Sequence, residues 1–194
     1  REVDAAKVVV WGSSFGGGHA VELAADHPEL AGVIAQVPML DGMAAVRAVP
    51  PLRLARFALC GLIDMMKPGN PLYIPVVSEP GAFSSMDRDD ANRALQLAED
   101  SIGRTYDNRV AARSLLTMGP YRPFKRLKDI NIPTLLLGAT EDTVAPFVES
   151  AIRKVNNPHI SLATAKANHF EPYFEPAFSE VIRKELDFLK SLEV

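Results

Sequence analysis

The chain has few of the residues that hold small secreted or metal-bound domains together. Its 194 residues include one cysteine, Cys60, and four histidines dispersed along the sequence. A single cysteine excludes an internal disulfide, and no cysteine and histidine cluster has the spacing of a zinc site. We therefore expect no metal and no cofactor, and we interpret Cys60 as a small buried apolar group.

The chain also lacks a strong excess of one charge and a long apolar run. Lysine and arginine number 21 against 24 aspartate and glutamate residues, which gives a formal net charge of -3. Mostly scattered basic residues argue against nucleic acid as a partner. The apolar stretch around Cys60 is too short to span a bilayer, so we expect no membrane partner and a cytoplasmic location.

What the chain does contain is an alternation of short β-type runs and helical patterns. With 47% hydrophobic residues it can bury a globular core. Strands that alternate with helices predict the α/β class, a parallel sheet with flanking helices. The predicted strands are 7–11, 30–36, 134–138 and 160–164, and the predicted helices are 15–26, 146–155 and one from about Pro176 onward.

A long segment separates the two blocks of alternating strands and helices. A structureless loop of this length is improbable inside a compact domain, so we expect the segment to have its own structure. Helices are predicted at 51–66, 87–100 and 107–118, with proline and glycine between them. The predicted organisation is a core of residues 1–40 and 130–194 with a helical insertion of residues 41–129.

A Gly-Ser-Ser-Phe-Gly pentad lies between the first predicted strand and the first predicted helix. A sharp strand-to-helix turn of this kind exposes the central serine, and the flanking Gly12 and Gly16 let the strand and helix approach each other. We predict Ser14 as a nucleophile and the backbone N–H of Phe15 as an oxyanion donor. Ser13 is expected to point away. The alternative is a purely structural turn rich in glycine and serine.

Partners for a nucleophilic serine follow it in the order acid, histidine. Asp142 comes shortly after the third predicted strand, and His169 lies on a loop after the fourth. Because the carboxyl ends of parallel strands meet at one edge of a sheet, we expect these side chains to lie near Ser14. The order serine, acid, histidine is typical of one hydrolase fold.

Other acids and histidines compete for these roles. Glu141 adjoins the predicted acid and Asp41 follows the second predicted strand, so both remain alternative acids. His19 and His27 lie on or near the first helix, where packing or capping is the simpler interpretation. His159 precedes the last strand and is interpreted as solvated.

These motifs resemble those of the α/β-hydrolase superfamily. The pentad 12–16 matches its nucleophile elbow, Asp142 its acid after the penultimate strand, and His169 its histidine after the last strand. The stretches WGSSFGGGHAVELA, GVIAQVP and NHFEPY are similar to dienelactone-hydrolase-related enzymes and to polyketide-cluster acyl transferases and hydrolases. The resemblance covers 7–36 and 132–194, and it implies that the insertion is a cap over the active site.

The residues and the resemblance together imply a serine acyl hydrolase of the esterase or thioesterase type. A histidine can take the serine proton near neutral pH, and a carboxylate fixes the tautomer of that histidine. An acyl-enzyme on Ser14 would form from a small-molecule ester or thioester with an apolar acyl group. An acyl transferase that uses the same triad is one alternative. A non-catalytic member of the fold that binds a ligand is the other.

The resemblance also predicts an incomplete sheet. In the superfamily, further strands precede the elbow strand, and a loop after one of them supplies the second oxyanion N–H. Only residues 1–6 precede the elbow strand here, so we expect the chain to be the C-terminal portion of a longer hydrolase. The elbow strand is then expected at an open edge, where a missing N-terminal segment or a second copy would pair. Weak activity and dimerisation or aggregation are expected for the chain alone.

Overall fold

The computed structural model describes residues 4–67, 69–103 and 105–192. The strands are β1 (Val9–Ser13), β2 (Gly32–Gln36), β3 (Tyr73–Ile74), β4 (Val77–Ser78), β5 (Met86–Asp87), β6 (Val110–Ala111), β7 (Thr134–Ala139) and β8 (Ile160–Ala165). The α-helices are α1 (Phe15–Asp26), α2 (Gly42–Arg47), α3 (Pro51–Met66), α4 (Asp89–Ile102), α5 (Glu149–Arg153) and α6 (Ala177–Ser191). Short 3-10 helices cover Ala5–Lys7, Ala112–Thr117, Pro123–Asp129 and Glu171–Tyr173. Within the described residues, no helix combines the length and the apolar character needed to cross a membrane.

The main sheet has four parallel strands in the order β1, β2, β7, β8. Every residue of β2 and β7 is buried, as expected for central strands that are covered by helices on both faces. The predicted α/β class, a parallel sheet with flanking helices, is confirmed. In the described part of the chain β1 lies at one edge of this sheet, and association through that edge stays a prediction.

Alternate residues of the central strands pack on opposite faces of the sheet. Val33 of β2 and Leu136 of β7 belong to a buried cluster that includes Val21 of α1. Ile34 of β2 belongs to a second cluster, which includes Val181 of α6. Because a shift by one residue would exchange the two faces, these clusters hold β2 and β7 in register. The register in turn fixes where the carboxyl ends of the strands lie.

The chain divides into two compact units, residues 1–45 with 121–194 and residues 46–120. The first unit contains the main sheet, and the second contains α3 and α4. At the two ends of the predicted core, residues 1–3 and 193–194 lie outside the described residues. The role of a cap for the predicted insertion stays a prediction.

The second unit has a small core of its own. One cluster of buried apolar residues in this unit consists of Phe57, Ile74 and Ala112. The carboxylate of Asp64 is fully buried in this unit and lies 2.8 Å from Nε of Arg113. Hydrogen bonds from the Arg113 side chain hold the pKa of this carboxyl well below its usual range. Cys60 packs against the core, as expected for an apolar group, but it is only partly buried. The expectation that it is buried is therefore wrong.

The prediction of a helix at 107–118 is wrong. The structure has the two-residue strand β6 and a 3-10 helix there. β6 pairs with β3, and the side chain of Asn108 accepts the N–H of Val76 at 3.0 Å and of Val77 at 2.8 Å. Hydrogen bonds to distant residues therefore replace the bonds that a helix would make within the segment.

The helix predicted at 146–155 is shorter than expected, since α5 covers only Glu149–Arg153. Asp142 Oδ1 accepts the N–H of Val144 at 2.8 Å and of Ala145 at 2.7 Å. A carboxylate that bonds the backbone two and three residues later favours a turn over a helix. This turn fixes the side chain of Asp142, and residues 146–148, between the turn and α5, are not helical.

Candidate active site

β1 passes into α1 through a serine with a strained backbone. Ser14 has φ 55° and ψ -119°, a conformation that residues other than glycine rarely adopt. Its N–H donates to Gln36 O at 2.9 Å, and its carbonyl oxygen accepts the N–H of Met39 at 2.9 Å. The end of β2 and the residues after it therefore hold the turn that presents the Ser14 side chain.

The glycines around this turn are not equivalent. A Cβ on Gly12 would lie 2.2 Å from the carbonyl oxygen of Gly16, so β1 and α1 can meet only where residue 12 has no side chain. A Cβ on Gly16 would meet nothing within 4 Å, so the expectation that both pentad glycines permit the close approach is wrong for Gly16. Gly18 is also tight, since its Cβ would lie 2.6 Å from Met39 O.

The loops that follow β7 and β8 are bonded to each other. The N–H of Glu141 donates to Ala167 O at 3.0 Å, which continues the pairing of the two strands beyond their ends. Asp142 follows in the first loop and His169 in the second. Because both loops leave the carboxyl ends of parallel strands, the two side chains come together at one edge of the sheet.

The three predicted side chains form one continuous chain of hydrogen bonds. Ser14 Oγ lies 2.8 Å from His169 Nε2, and His169 Nδ1 lies 2.7 Å from Asp142 Oδ2. An ionised carboxylate only accepts hydrogen bonds, so Nδ1 carries the proton and Nε2 accepts the Ser14 hydroxyl. His169 is 3% exposed and the Asp142 side chain is fully buried, so water has little access to their contact.

The alternative acids have other surroundings. Asp41 Oδ1 accepts the N–H of Met43 at 3.0 Å at the start of α2, and Asp41 Oδ2 accepts a bond from Arg122 at 2.8 Å. Glu141 is exposed. Among the residues that the structure describes, the carboxylate within hydrogen-bond distance of His169 is that of Asp142.

The remaining histidines lie outside this chain of hydrogen bonds. His19 Nδ1 lies 2.9 Å from Tyr121 OH, and the Phe15 ring packs against both side chains, with ring centroids 4.6 Å from His19 and 4.9 Å from Tyr121. His27 pairs with a neighbouring glutamate. His159 is exposed, which agrees with its interpretation as solvated.

The backbone N–H of Phe15, which is the predicted oxyanion donor, lies at the start of a helix. Phe15 is the first residue of α1, directly after Ser14. The first N–H groups of a helix have no acceptor within that helix, and no acceptor for the Phe15 N–H is found among the described residues. An oxygen on a Ser14 adduct could accept this bond at the positive end of the helix.

Sequence reasoning missed a hydrogen-bonded group next to the nucleophile. Ser13 Oγ lies 2.5 Å from Tyr173 OH and 3.2 Å from Gln36 Nε2. Gln36 is 4% exposed, and a polar residue in the otherwise apolar strand β2 is a signal for such a buried partner. Tyr173 ends the stretch NHFEPY, but that resemblance assigns it no role.

A second missed feature stabilises the loop that carries His169. Asn168 Oδ1 accepts the N–H of Phe170 at 2.8 Å and of Glu171 at 3.0 Å, and Glu171 Oε2 accepts the N–H of Asn168 at 2.7 Å. This reciprocal pattern of bonds is the same as in a capping box, here in the turn that precedes the 3-10 helix Glu171–Tyr173. Its spacing, Asn followed three residues later by Glu, could have been read from the sequence.

Comparison with known proteins gives consistent matches over almost the whole chain. The family model described as serine aminopeptidase, S33, matches residues 1–173. The quorum-quenching protein AidA of Acinetobacter baumannii (strain MDR-ZJ06) is 34% identical over an alignment of 194 positions, which covers 98% of this chain and 64% of AidA. The chain thus spans slightly less than two thirds of the length of this relative.

Two solved structures have the same fold at low sequence identity. The α/β hydrolase GrgF from Penicillium sp. sh18 is 20% identical, with a TM-score of 0.69 over 97% of this chain and 65% of that chain. The monoacylglycerol lipase of Paleococcus ferrophilus is 19% identical, with a TM-score of 0.67 over 96% of this chain and 69% of that chain. These two comparisons bear on the fold alone.

Proposed function

Because the chain belongs to the serine aminopeptidase S33 family of α/β hydrolases, we propose that it is a serine acyl hydrolase acting on an apolar ester or thioester. Ser14 is the nucleophile, His169 the general base and Asp142 the acid. The supporting observation is the unbroken chain of hydrogen bonds from Ser14 Oγ through both ring nitrogens of His169 to Asp142. A serine hydroxyl is a weak nucleophile unless a base is placed in this way.

The first half of the reaction forms an acyl-enzyme. His169 Nε2 takes the proton of the Ser14 hydroxyl as Oγ attacks the carbonyl carbon of the substrate. The carbonyl oxygen becomes an oxyanion and accepts the Phe15 N–H. When the intermediate collapses, the alcohol or thiol leaves with the proton from His169, and the acyl group stays on Ser14. Asp142 keeps Nδ1 protonated and stabilises the imidazolium.

The second half of the reaction decides between two activities. Water activated by His169 releases a carboxylic acid, and the enzyme is then an esterase or thioesterase. An alcohol or amine in place of water makes the enzyme an acyl transferase. A series of activated esters of increasing acyl length, assayed with and without an added alcohol or amine, separates the two by the products formed.

A second candidate function is the removal of a quorum-sensing signal. The 34% identity with AidA, whose name describes quorum quenching, favours it. For the candidate site to act on such a signal, the molecule must carry an ester, lactone or thioester bond that Ser14 can attack. Loss of the signal from a bacterial reporter assay with the wild-type protein, and not with Ser14→Ala, would support this function.

The nucleophile is tested by covalent labelling. In the full-length protein we expect a fluorophosphonate to form an adduct on Ser14, because the probe reacts with a serine activated by a base. Ser14→Ala should abolish the label, whereas Ser13→Ala keeps the nucleophile and should still be labelled on Ser14 at the end point of the reaction. Mass spectrometry of the labelled peptide identifies the residue. An adduct elsewhere contradicts the assignment, and no adduct at all favours the non-catalytic, ligand-binding alternative.

A further inference from the structure

The phenol of Tyr173 joins two segments that carry different members of the candidate site. Tyr173 ends the 3-10 helix Glu171–Tyr173, four residues after His169. Its hydrogen-bond partner Ser13 is the last residue of β1 and immediately precedes Ser14. The distance between Tyr173 OH and Ser13 Oγ is 2.5 Å. This contact therefore connects the loop of residues 166–173, called the histidine loop below, with the strand that presents the nucleophile.

The Ser13 hydroxyl has a defined partner for each of its hydrogen-bonding positions. Gln36 Nε2 donates to Ser13 Oγ at 3.2 Å, and the Ser13 hydroxyl donates to Gln36 O at 3.3 Å. A hydroxyl has one donor and two acceptor positions, so the remaining acceptor position takes the O–H of Tyr173. Gln36 O also accepts the N–H of Ser14 at 2.9 Å. The Ser13 hydroxyl thus links Tyr173 to Gln36 O, which also binds the backbone of the nucleophile.

The histidine loop is attached at both ends. At its beginning, Ala167 O accepts the N–H of Glu141, from the loop that carries Asp142, at 3.0 Å. At its end, Tyr173 bonds to Ser13. The first attachment joins the loop to the segment that carries Asp142, and the second joins it to the strand that ends next to Ser14. Burial raises the pKa of the Tyr173 phenol, so the phenol stays protonated and able to donate at neutral pH.

We propose that Tyr173 is a positioning residue, which sets the distance between His169 Nε2 and Ser14 Oγ by holding the histidine loop to Ser13. The proposal rests on the function proposed above for Ser14 and His169. Proton transfer requires the two atoms within hydrogen-bond distance, and a displacement of about 1 Å can cost on the order of 10²-fold in rate.

Removal of either hydroxyl tests this role. Tyr173→Phe keeps the ring and loses the donor, and Ser13→Ala loses the acceptor. We expect each to lower kcat for a small activated ester about ten- to a hundred-fold, with KM within about two-fold of wild type. The rate constant of fluorophosphonate labelling at Ser14 should fall by the same factor. The double variant should be no slower than the slower single variant, because both changes remove one bond.

Thr134→Val is the matched control for a loss of stability alone. It removes a buried hydroxyl bond of β7, from Thr134 Oγ1 to Ile132 O at 3.1 Å. We expect its melting temperature to fall about as much as that of Tyr173→Phe, while kcat stays at the wild-type value. Hydrogen exchange of residues 166–173 should increase in Tyr173→Phe and not in Thr134→Val.

Three results would overturn the positioning role. The first is a labelling rate in Tyr173→Phe equal to that of wild type. The second is a double variant in which the rate losses of Tyr173→Phe and Ser13→Ala multiply. The third is a loss of kcat in Thr134→Val as large as that in Tyr173→Phe. If wild-type protein is not labelled at Ser14, the proposed function fails instead. The exchange of residues 166–173 then still decides whether Tyr173 holds the loop.

Discussion

At the scale of single residues, the two oxygens of Asp142 have different tasks. Oδ1 accepts two backbone N–H groups of its own loop, from Val144 at 2.8 Å and from Ala145 at 2.7 Å. Oδ2 accepts Nδ1–H of His169 at 2.7 Å. A buried carboxylate needs such partners, because an unpaired charge in the interior is costly. The backbone bonds therefore fix the orientation in which Asp142 meets the imidazole.

Asp142→Asn should abolish most of the activity and leave the fold intact. The amide can turn its N–H₂ toward the ring, and His169 then carries its proton on Nε2, where it cannot accept the Ser14 proton. We expect kcat to fall by about 10⁴, the value found in a well-studied triad of this kind. Steady-state kinetics and thermal melts on purified protein measure the two effects.

Asp41→Asn is the matched control, since this carboxylate caps α2 and pairs with Arg122. Its kcat should stay close to wild type, with a small loss of stability because the ion pair with Arg122 is removed. If Asp41→Asn lost more activity than Asp142→Asn, the acid would have to be assigned to residue 41.

At the scale of elements, the elbow depends on how closely β1 and α1 approach each other. Gly12 lies where the strand meets the first turn of the helix, and the carbonyl oxygen of Gly16 occupies the space that a side chain would need. Gly16 itself faces open space and has no positive φ. Two glycines of one motif therefore differ in what they contribute to the turn.

Alanine at these two positions should change stability in opposite directions. Gly12→Ala forces β1 and α1 apart, and we expect a loss of about 1–3 kcal/mol or more in the free energy of unfolding, as for other overpacked sites. Gly16→Ala lowers the entropy of the unfolded chain without a clash and should add about 0.5–1 kcal/mol. Urea denaturation measures both. Equal destabilisation by the two changes would show that Gly16 is needed for the turn.

At the scale of the whole molecule, a carboxyl between α6 and β1 makes stability depend on pH. Glu185 is 4% exposed and accepts the indole N–H of Trp11 at 3.2 Å. Burial raises the pKa of Glu185, an effect that the bond from Trp11 partly offsets. The folded state therefore binds this proton more tightly than the unfolded state. The resulting stability is fully present below the ordinary glutamate pKa of about 4.3 and is lost as the pH rises through the raised value.

Glu185→Gln should raise the melting temperature at pH 7, because a neutral amide still accepts the Trp11 N–H and carries no charge into the interior. The gain should disappear below about pH 4, where the wild-type carboxyl is protonated in both states. Thermal melts from pH 3 to pH 8 test this.

Glu180→Gln on the same helix is the control with the opposite sign. Lys184 pairs with Glu180 and holds the pKa of Glu180 below its usual value. This variant should therefore be slightly less stable than wild type at pH 7, and the difference should fade as the pH falls through the lowered pKa. A change of the same sign in both variants would contradict the burial argument.

The sequence by itself determines the class of fold, the elbow and the candidate residues. β-branched and apolar runs predict the four parallel strands, and the confirmed bounds of α3, Pro51–Met66, follow from a proline at its start and a continuous helical pattern. The pentad around Ser14 and the order of Asp142 and His169 are local patterns of the same kind. Such features are readable because they depend on neighbouring residues.

Only the tertiary structure decided which residues meet. Residues 107–118 contain a helical pattern, but residues 108–113 bond to distant residues, and only a short 3-10 helix, Ala112–Thr117, forms in the segment. The sequence leaves three acids open, and the pairing of the loops after β7 and β8 brings one of them, Asp142, to His169. Tyr173 meets Ser13 across 160 positions of the chain. Contacts of this kind depend on the pairing of the strands and the packing of the loops between them. No short stretch of sequence carries a pattern for such contacts.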